Sequence, residues 1–288
     1  MGVNKMIESN VTIESEAVAA HYDSLDKFYR DIWGEHVHHG YWERGNETPE
    51  EAVLHLSHTL CRWLALQPKD EVIDVGCGYG GTSRLIALEY GAKVTGFTLS
   101  KQQKAFSDRL RTSSDQVDVL CQNFLNNELK AESIDAVISI ECLEHISDKQ
   151  RALDEMFRVL KPGKRVAVAL WSSVENPNRA QSYMLEAICR EGRLPSVQTG
   201  SEYKALFEKA GFQMLDEREI GRDVKKTWTI CAKRLAQRLI FDSSYRTFIK
   251  NASNQDRIFA LTLLRIRAAF EMKAMEYWIF AAEKPLSH

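Results

Sequence analysis

A cluster of glycines follows an apolar run at Val72-Ile73-Asp74-Val75-Gly76-Cys77-Gly78-Tyr79-Gly80-Gly81-Thr82. Glycine lets the backbone approach a ligand closely and adopt positive φ, so such a cluster at a strand end suits a bound molecule. Gly76, Gly78 and Gly81 also satisfy G-x-G-x-x-G, a dinucleotide fingerprint that calls for an acid at the end of the next strand. That strand ends at Phe97-Thr98 without one. Asp74 would repel a pyrophosphate and would suit an ammonium. The turn therefore favours a cationic ligand over a nicotinamide dinucleotide.

A second pair able to do chemistry is Glu141 and His145, after the apolar run 134–140. His145 could take a proton near neutral pH, and Glu141 could orient it or steady a positive charge. The plainer alternatives are that Glu141 only holds a cofactor and that His145 only starts a helix. His36, His38 and His39 invite a metal reading, but a zinc site needs three or four converging ligands. The six cysteines, at 61, 77, 121, 142, 189 and 231, contain no C-x-x-C pair. No metal is expected, and the cysteines read as buried reduced thiols.

These groups need elements to position them. Residues 12–33 carry a loose apolar stripe and predict a helix. A loop rich in histidine, glycine and aromatics follows over 34–42. Thr48-Pro49-Glu50-Glu51 has the signature of a capped helix start, and that helix should reach residue 66. Strands at 71–75, 93–97, 117–121, 134–140 and 165–170 alternate with helices at 82–90, 100–112 and 148–160. This rhythm predicts a parallel sheet covered on both faces. Residues 172–200 look irregular. A helix at 202–210, a strand at 212–220, helices at 226–246 and 255–272, and a strand at 275–282 complete the chain. The helical insertions should cap the site, with Trp171, Tyr183, Met184, Trp228, Phe241, Tyr245 and Phe248 available to line a pocket or to fill the core. The basic stretch from Lys225 to Arg238 reads as a solvated helix face.

The 288 residues suit one sizeable α/β unit with insertions, and the net charge of −2 offers nothing global to attract nucleic acid or an anionic membrane. Residues 1–10 are polar and lack a signal core, and no apolar run could span a bilayer. Gly2 opens a myristoylation pattern, but Met6 stands where Ser or Thr is required. A cytoplasmic location is expected.

Five segments together carry a resemblance. They are Trp33-Gly34-Glu35-His36-Val37-His38-His39-Gly40-Tyr41-Trp42, the glycine cluster, Val94-Thr95-Gly96-Phe97-Thr98-Leu99-Ser100, Glu141-Cys142-Leu143-Glu144-His145-Ile146, and Arg158-Val159-Leu160-Lys161-Pro162-Gly163. The sequence resembles class I S-adenosylmethionine-dependent methyltransferases. Within them it is similar to the branch holding tocopherol and natural-product methyltransferases and, more distantly, cyclopropane fatty acid synthases. The likeness is strong over 20–170 and loose over 200–282.

The resemblance implies a Rossmann-like seven-stranded sheet with its last strand antiparallel. It implies an N-terminal segment, 1–66, closing over the cofactor, a cofactor-binding core at 67–171, and the rest of the sheet with cap insertions at 172–288. The implied cofactor is S-adenosyl-L-methionine. Asp74, Gly76 and Gly78 would hold its methionine end, Thr98 and Gln103 its ribose, and Asn123 with Phe124 its adenine. Tyr22 and His38 would fold over it. Glu141 and His145 would stand at the methyl group, with His39 and Trp171 on the acceptor side. The implied reaction is methyl transfer to carbon, oxygen or nitrogen of a small, fairly apolar acceptor, such as a secondary metabolite or a prenylated aromatic. The alternatives are a lipid-modifying cyclopropane synthase, although the Gly-Ala-Phe-Glu-His pattern is absent, and a protein that binds the cofactor without catalysis. A nucleic-acid substrate is disfavoured by charge and by the lack of an Asn-Pro-Pro-Tyr-like motif. The N-terminal helix could dock a second copy of the chain.

Overall fold

The computed structural model describes residues 7–9, 12–111, 116–251 and 254–286. Gly2, Met6 and the expected helix end at Thr112 lie outside them, and the side chain of Phe248 is likewise not described. Seven strands form the main sheet: β1 Glu71–Val75, β2 Lys93–Thr98, β3 Val117–Cys121, β4 Ile134–Ile140, β5 Leu160–Ser173, β6 Gln213–Glu219 and β7 Met275–Glu283. Their spatial order is β3-β2-β1-β4-β5-β7-β6. The first five run parallel, while β7 is antiparallel to both β5 and β6. The order reverses between β1 and β4, which places a ligand crevice beyond their carboxyl ends.

Alternation along the strands builds two cores. Val72, Val94, Ile138 and Ala169 point to one. Ile73, Val75, Val137 and Val168 point to the other. A period of two with both faces apolar is what a sheet sandwiched between helices requires. On the faces lie α1 Ser15–Ser24, α2 Asp26–Ile32, α3 Pro49–Leu64, α4 Gly81–Tyr90, α5 Lys101–Leu110, α6 Lys149–Val159, α7 Arg179–Gly192, α8 Gly200–Ala210, α9 Gly221–Val224, α10 Lys226–Phe241, α11 Ser243–Asn251 and α12 Asn254–Glu271. Thr48 caps α3 through the predicted box with Glu51.

Several local expectations are corrected. The single helix over 12–33 is broken at Leu25, which is buried with φ −100° and ψ 10°. The Tyr79 hydroxyl donates to Asp26 just past the break, tying this segment to the glycine turn. The stretch 172–200 holds a full helix, α7, whose N-cap Asn178 pairs with Gln181 in a capping box. Pro177 just before the cap and Pro195 after the helix give the stretch its irregular look in sequence. Strand β5 begins five residues earlier than expected, since Pro162-Gly163 is absorbed by a register shift opposite β4. The helix expected over 226–246 divides at Asp242, whose carboxylate accepts from Ser244. A short ribbon pairs Ile7–Glu8 with Ser196–Val197.

Among the described residues no helix is long and apolar enough to cross a membrane.

Candidate active site

The glycine turn is shaped by its neighbours. Gly76 has φ +79°, and a Cβ there would lie 2.4 Å from the Cys142 side chain, so only glycine fits. Gly78 has φ +55° and nothing within 4 Å of a would-be Cβ; it faces open space. That space is a cleft at the carboxyl ends of β1, β2 and β4.

The cleft brings together most residues singled out in the sequence. Tyr22, Gly76, Gly78, Glu141 and His145 line it, as do Thr98, Gln103, Asn123 and Phe124. The Thr98 hydroxyl donates to the Gln103 side chain at 2.6 Å, and the Asn123 side chain caps the turn at Leu125. A recess opens beside the cleft, sharing Val37, Gly76, Gly78 and Ile140 with it, and holds Asp74 and His38. Burial raises the Asp74 carboxyl to about 6, against the Ser83 hydroxyl that donates to it at 2.6 Å. No cationic partner for this carboxylate is found among the described residues. A buried carboxylate in that position fits a ligand carrying an ammonium.

One tie was not anticipated. Asp23 at the end of α1 accepts from the Ser100 hydroxyl at 2.5 Å and from the Gln102 amide at 3.1 Å. It fastens the N-terminal helix to the start of α5 beside the cleft. Nothing local marks Asp23 for this role, because its partner lies 77 positions away.

A second, smaller cavity adjoins the cleft. Trp33, Trp171 and Leu194 line it, and the cap supplies Trp228 from α10 and Ile266 from α12. The other expected cap aromatics go elsewhere: Tyr183 and Phe241 are exposed and Tyr245 is buried in the core. Tyr22, Val37, Glu141 and His145 line both the cavity and the cleft and so form the wall between them.

Glu141 follows β4 with a left-handed φ of +53°, unusual for a side chain with a Cβ. Its Oε1 accepts from the His39 amide at 2.7 Å, from His39 Nδ1 at 2.8 Å and from the Tyr277 hydroxyl at 2.8 Å. Burial works to raise this carboxyl, but His39 and its hydrogen bonds hold it down at about 2. Glu141 is thus an anion at the wall.

His145 is different. Its Nδ1 lies 3.1 Å from the Arg193 carbonyl, which can only accept, so Nδ1 carries the proton. Nε2 then accepts from the Tyr22 hydroxyl at 2.9 Å. Burial lowers the imidazole to about 4, against that carbonyl contact. The ring is neutral at pH 7 and a weaker base than an ordinary histidine.

His39 departs from the expectation. It lines neither the cleft nor the cavity but is buried behind Glu141, with 1% of its surface exposed. Both ring nitrogens are occupied, Nδ1 by Glu141 and Nε2 by the Trp228 indole N–H at 2.7 Å. His38 donates from Nδ1 to the His39 carbonyl at 2.8 Å, and burial lowers its pKa. His38 lies on the recess, away from the main cleft. Among the described residues no group of three His, Cys, Asp or Glu side chains could hold a metal ion.

Residues 9–279 match the family of mycolic acid cyclopropane synthetases. The chain belongs to that family. The 27-O-demethylrifamycin SV methyltransferase of Amycolatopsis mediterranei is 28% identical over 268 residues, covering 92% of this chain and 95% of that one. The O-methyltransferase resE of Aspergillus sclerotiorum is 30% identical over 226 residues, covering 75% and 83%. A crystal structure of the mycolic acid cyclopropane synthase CmaA1 complexed with SAH and CTAB shares the fold, with a TM-score of 0.85 at 19% identity over 96% of this chain and all of that one. This member of the cyclopropane synthetase family is an S-adenosylmethionine-dependent methyltransferase with the class I fold. The glycine turn, the open space at Gly78 and the uncompensated Asp74 carboxylate fit that cofactor.

Proposed function

We propose that this methyltransferase transfers the methyl group at the junction bordered by Tyr22, Val37, Glu141 and His145, where a donor in the cleft meets an acceptor in the aromatic cavity. The observation that carries this reading is that these four residues line both spaces. When bound, S-adenosylmethionine supplies a methyl group activated on a sulfonium. The protein's share is to hold donor and acceptor in line and to exclude water. Asp74, Gly76 and Gly78 hold the methionine end, Thr98 and Gln103 the ribose, Asn123 and Phe124 the adenine. His38 closes the recess. The N-terminal segment acts as the closing element, with Asp23 as its tether to Ser100.

Glu141 faces the site as an anion, and its charge complements a cationic donor at close range. The neutral His145, tied to Tyr22, serves better to orient the wall than to remove a proton. The aromatic and aliphatic lining supports a small, fairly apolar acceptor, such as a secondary metabolite or a prenylated aromatic, methylated at carbon, oxygen or nitrogen. His39 acts behind Glu141, and Trp171 faces the acceptor. We place the reaction in the cytoplasm and expect no nucleic-acid partner, given the net charge of −2. The N-terminal helix is the expected contact if two copies associate.

The test is incubation with methyl-labelled S-adenosylmethionine and a panel of hydroxylated, prenylated and unsaturated apolar compounds. Labelled product from at least one supports the reading. Intact cofactor binding with no labelled product from any compound would favour a binding-only protein and sink it.

A further inference from the structure

The cavity is apolar except at a few points, and one of them is Glu144. Glu144, in the short 3-10 turn after β4, is 2% exposed and lines the cavity. One carboxyl oxygen accepts from the Trp171 backbone amide. The other, Oε2, is buried and has no hydrogen-bond partner among the described residues. Trp171 lines the same cavity, and its indole Nε1 is also buried without a partner. Two residues of one cavity lining thus each carry a buried polar atom without a partner, which is unusual. A buried polar group without a partner costs stability comparable to a lost hydrogen bond, so folded proteins rarely keep one.

The indole N–H can only donate. Burial raises the Glu144 carboxyl to about 8, against the Trp171 amide, so it carries its proton at pH 7 and also donates. Glu141 stays an anion three residues away, so the two carboxyl groups divide into one charged and one neutral. This is the separation by environment that lets one site hold both a charge and a donor.

We infer that Glu144 and Trp171 form a two-donor subsite that binds an acceptor-only oxygen, such as a carbonyl, on the otherwise aromatic or aliphatic substrate. The inference rests on the reading of this cavity as the acceptor site and narrows the substrate to an oxygenated apolar skeleton. Leaving both donors unsatisfied is costly, so a compound lacking the oxygen is discriminated against more strongly than lost contact area alone would require. Glu144 and Trp171 are specificity residues here; neither is assigned a part in the transfer itself.

The test uses the full chain saturated with S-adenosylhomocysteine and two probes of nearly equal shape, 2-acetonaphthone and 2-isopropylnaphthalene. Dissociation constants are measured by ligand-observed NMR. The expected result is at least about tenfold tighter binding of the ketone. Trp171→Phe keeps the ring and loses the donor, and should cut the preference several-fold. Glu144→Gln keeps a donor and should retain it, while Glu144→Leu should not. Melting temperature and S-adenosylhomocysteine affinity check that each variant is folded. Should Glu144→Leu fail that check, the comparison of Trp171→Phe with Glu144→Gln still decides. Equal affinity for the two probes, no binding of either, or an unchanged preference in Trp171→Phe overturns the inference. Failure to bind S-adenosylhomocysteine at all would instead strike the methyltransferase reading, so the two failures are distinguishable.

Discussion

The Trp228 indole N–H donates to Nε2 of His39 at 2.7 Å, across 189 positions of sequence. Because an indole nitrogen never accepts, Nε2 must hold a lone pair, and the ring's one proton sits on Nδ1, where it donates to Glu141. A cap helix therefore sets the tautomer that keeps Glu141 anionic. Trp228→Phe should leave fold and cofactor affinity nearly intact but leave Nε2 without its donor, so that the ring can turn or take the other tautomer. We expect a several-fold to tenfold loss of kcat and about 1 kcal/mol less stability. Nitrogen NMR of labelled histidine would show a mixture of tautomers; an unchanged single tautomer would refute the link.

Cofactor binding should depend on pH through Asp74. Its carboxyl lies at about 6 because of burial, and an ammonium bound there favours the ionised form. As pH falls below 6, protonation competes with binding, so affinity for S-adenosylmethionine should drop by up to about tenfold per unit. Asp74→Asn should bind more weakly at pH 7 and lose this dependence. Calorimetry between pH 5 and 8 reads both; a parallel pH profile in the variant would remove Asp74 from the role.

Glu144 should destabilise the free protein as pH rises from about 4.5 to about 8. Its folded pKa is raised to about 8 by burial, from an ordinary 4.5, so above pH 4.5 the unfolded chain ionises while the folded chain stays protonated. Stability from this group is lost as pH rises through that window, by an amount on the order of a few kcal/mol by pH 8. Glu144→Gln cannot ionise, so its melting temperature should exceed the parent's most at pH 8 and least near pH 4.5. Equal gains at both pH values would mean that the carboxyl is not held neutral.

Gly76 and Gly45 both have positive φ, at +79° and +84°, but differ in surroundings. A Cβ at Gly45 meets nothing within 4 Å, whereas at Gly76 it collides with Cys142. Gly45→Ala should cost about 1 kcal/mol, the conformational penalty alone. Gly76→Ala should cost several-fold more and abolish cofactor binding. Binding that survives in Gly76→Ala would show that the turn can yield.

Much of this protein is legible from its residues alone. Apolar alternation at 71–75, 93–97 and 134–140, broken by capped helices, leads directly to the parallel sheet, since period and punctuation are local properties. The glycine cluster points to a ligand turn for the same reason: positive φ and close approach are demands on single positions. The cleft-facing place of Glu141 follows from standing just past a strand end, whereas those of Thr98 and Asn123 are implied by the resemblance.

What the chain could not disclose locally depends on packing between distant segments. His39 looked like an acceptor-facing residue, yet Trp228 from α10, Tyr277 from β7 and Glu141 from the end of β4 enclose it behind the wall. Nothing local marks Glu144; burial makes it the neutral partner of an anionic Glu141. Desolvation and hydrogen-bond supply decide the charge of each carboxyl, and both are set by neighbours remote in sequence. The order of residues thus determined the elements and the turn, while only the tertiary structure decided which side chains face the substrate and in which protonation state.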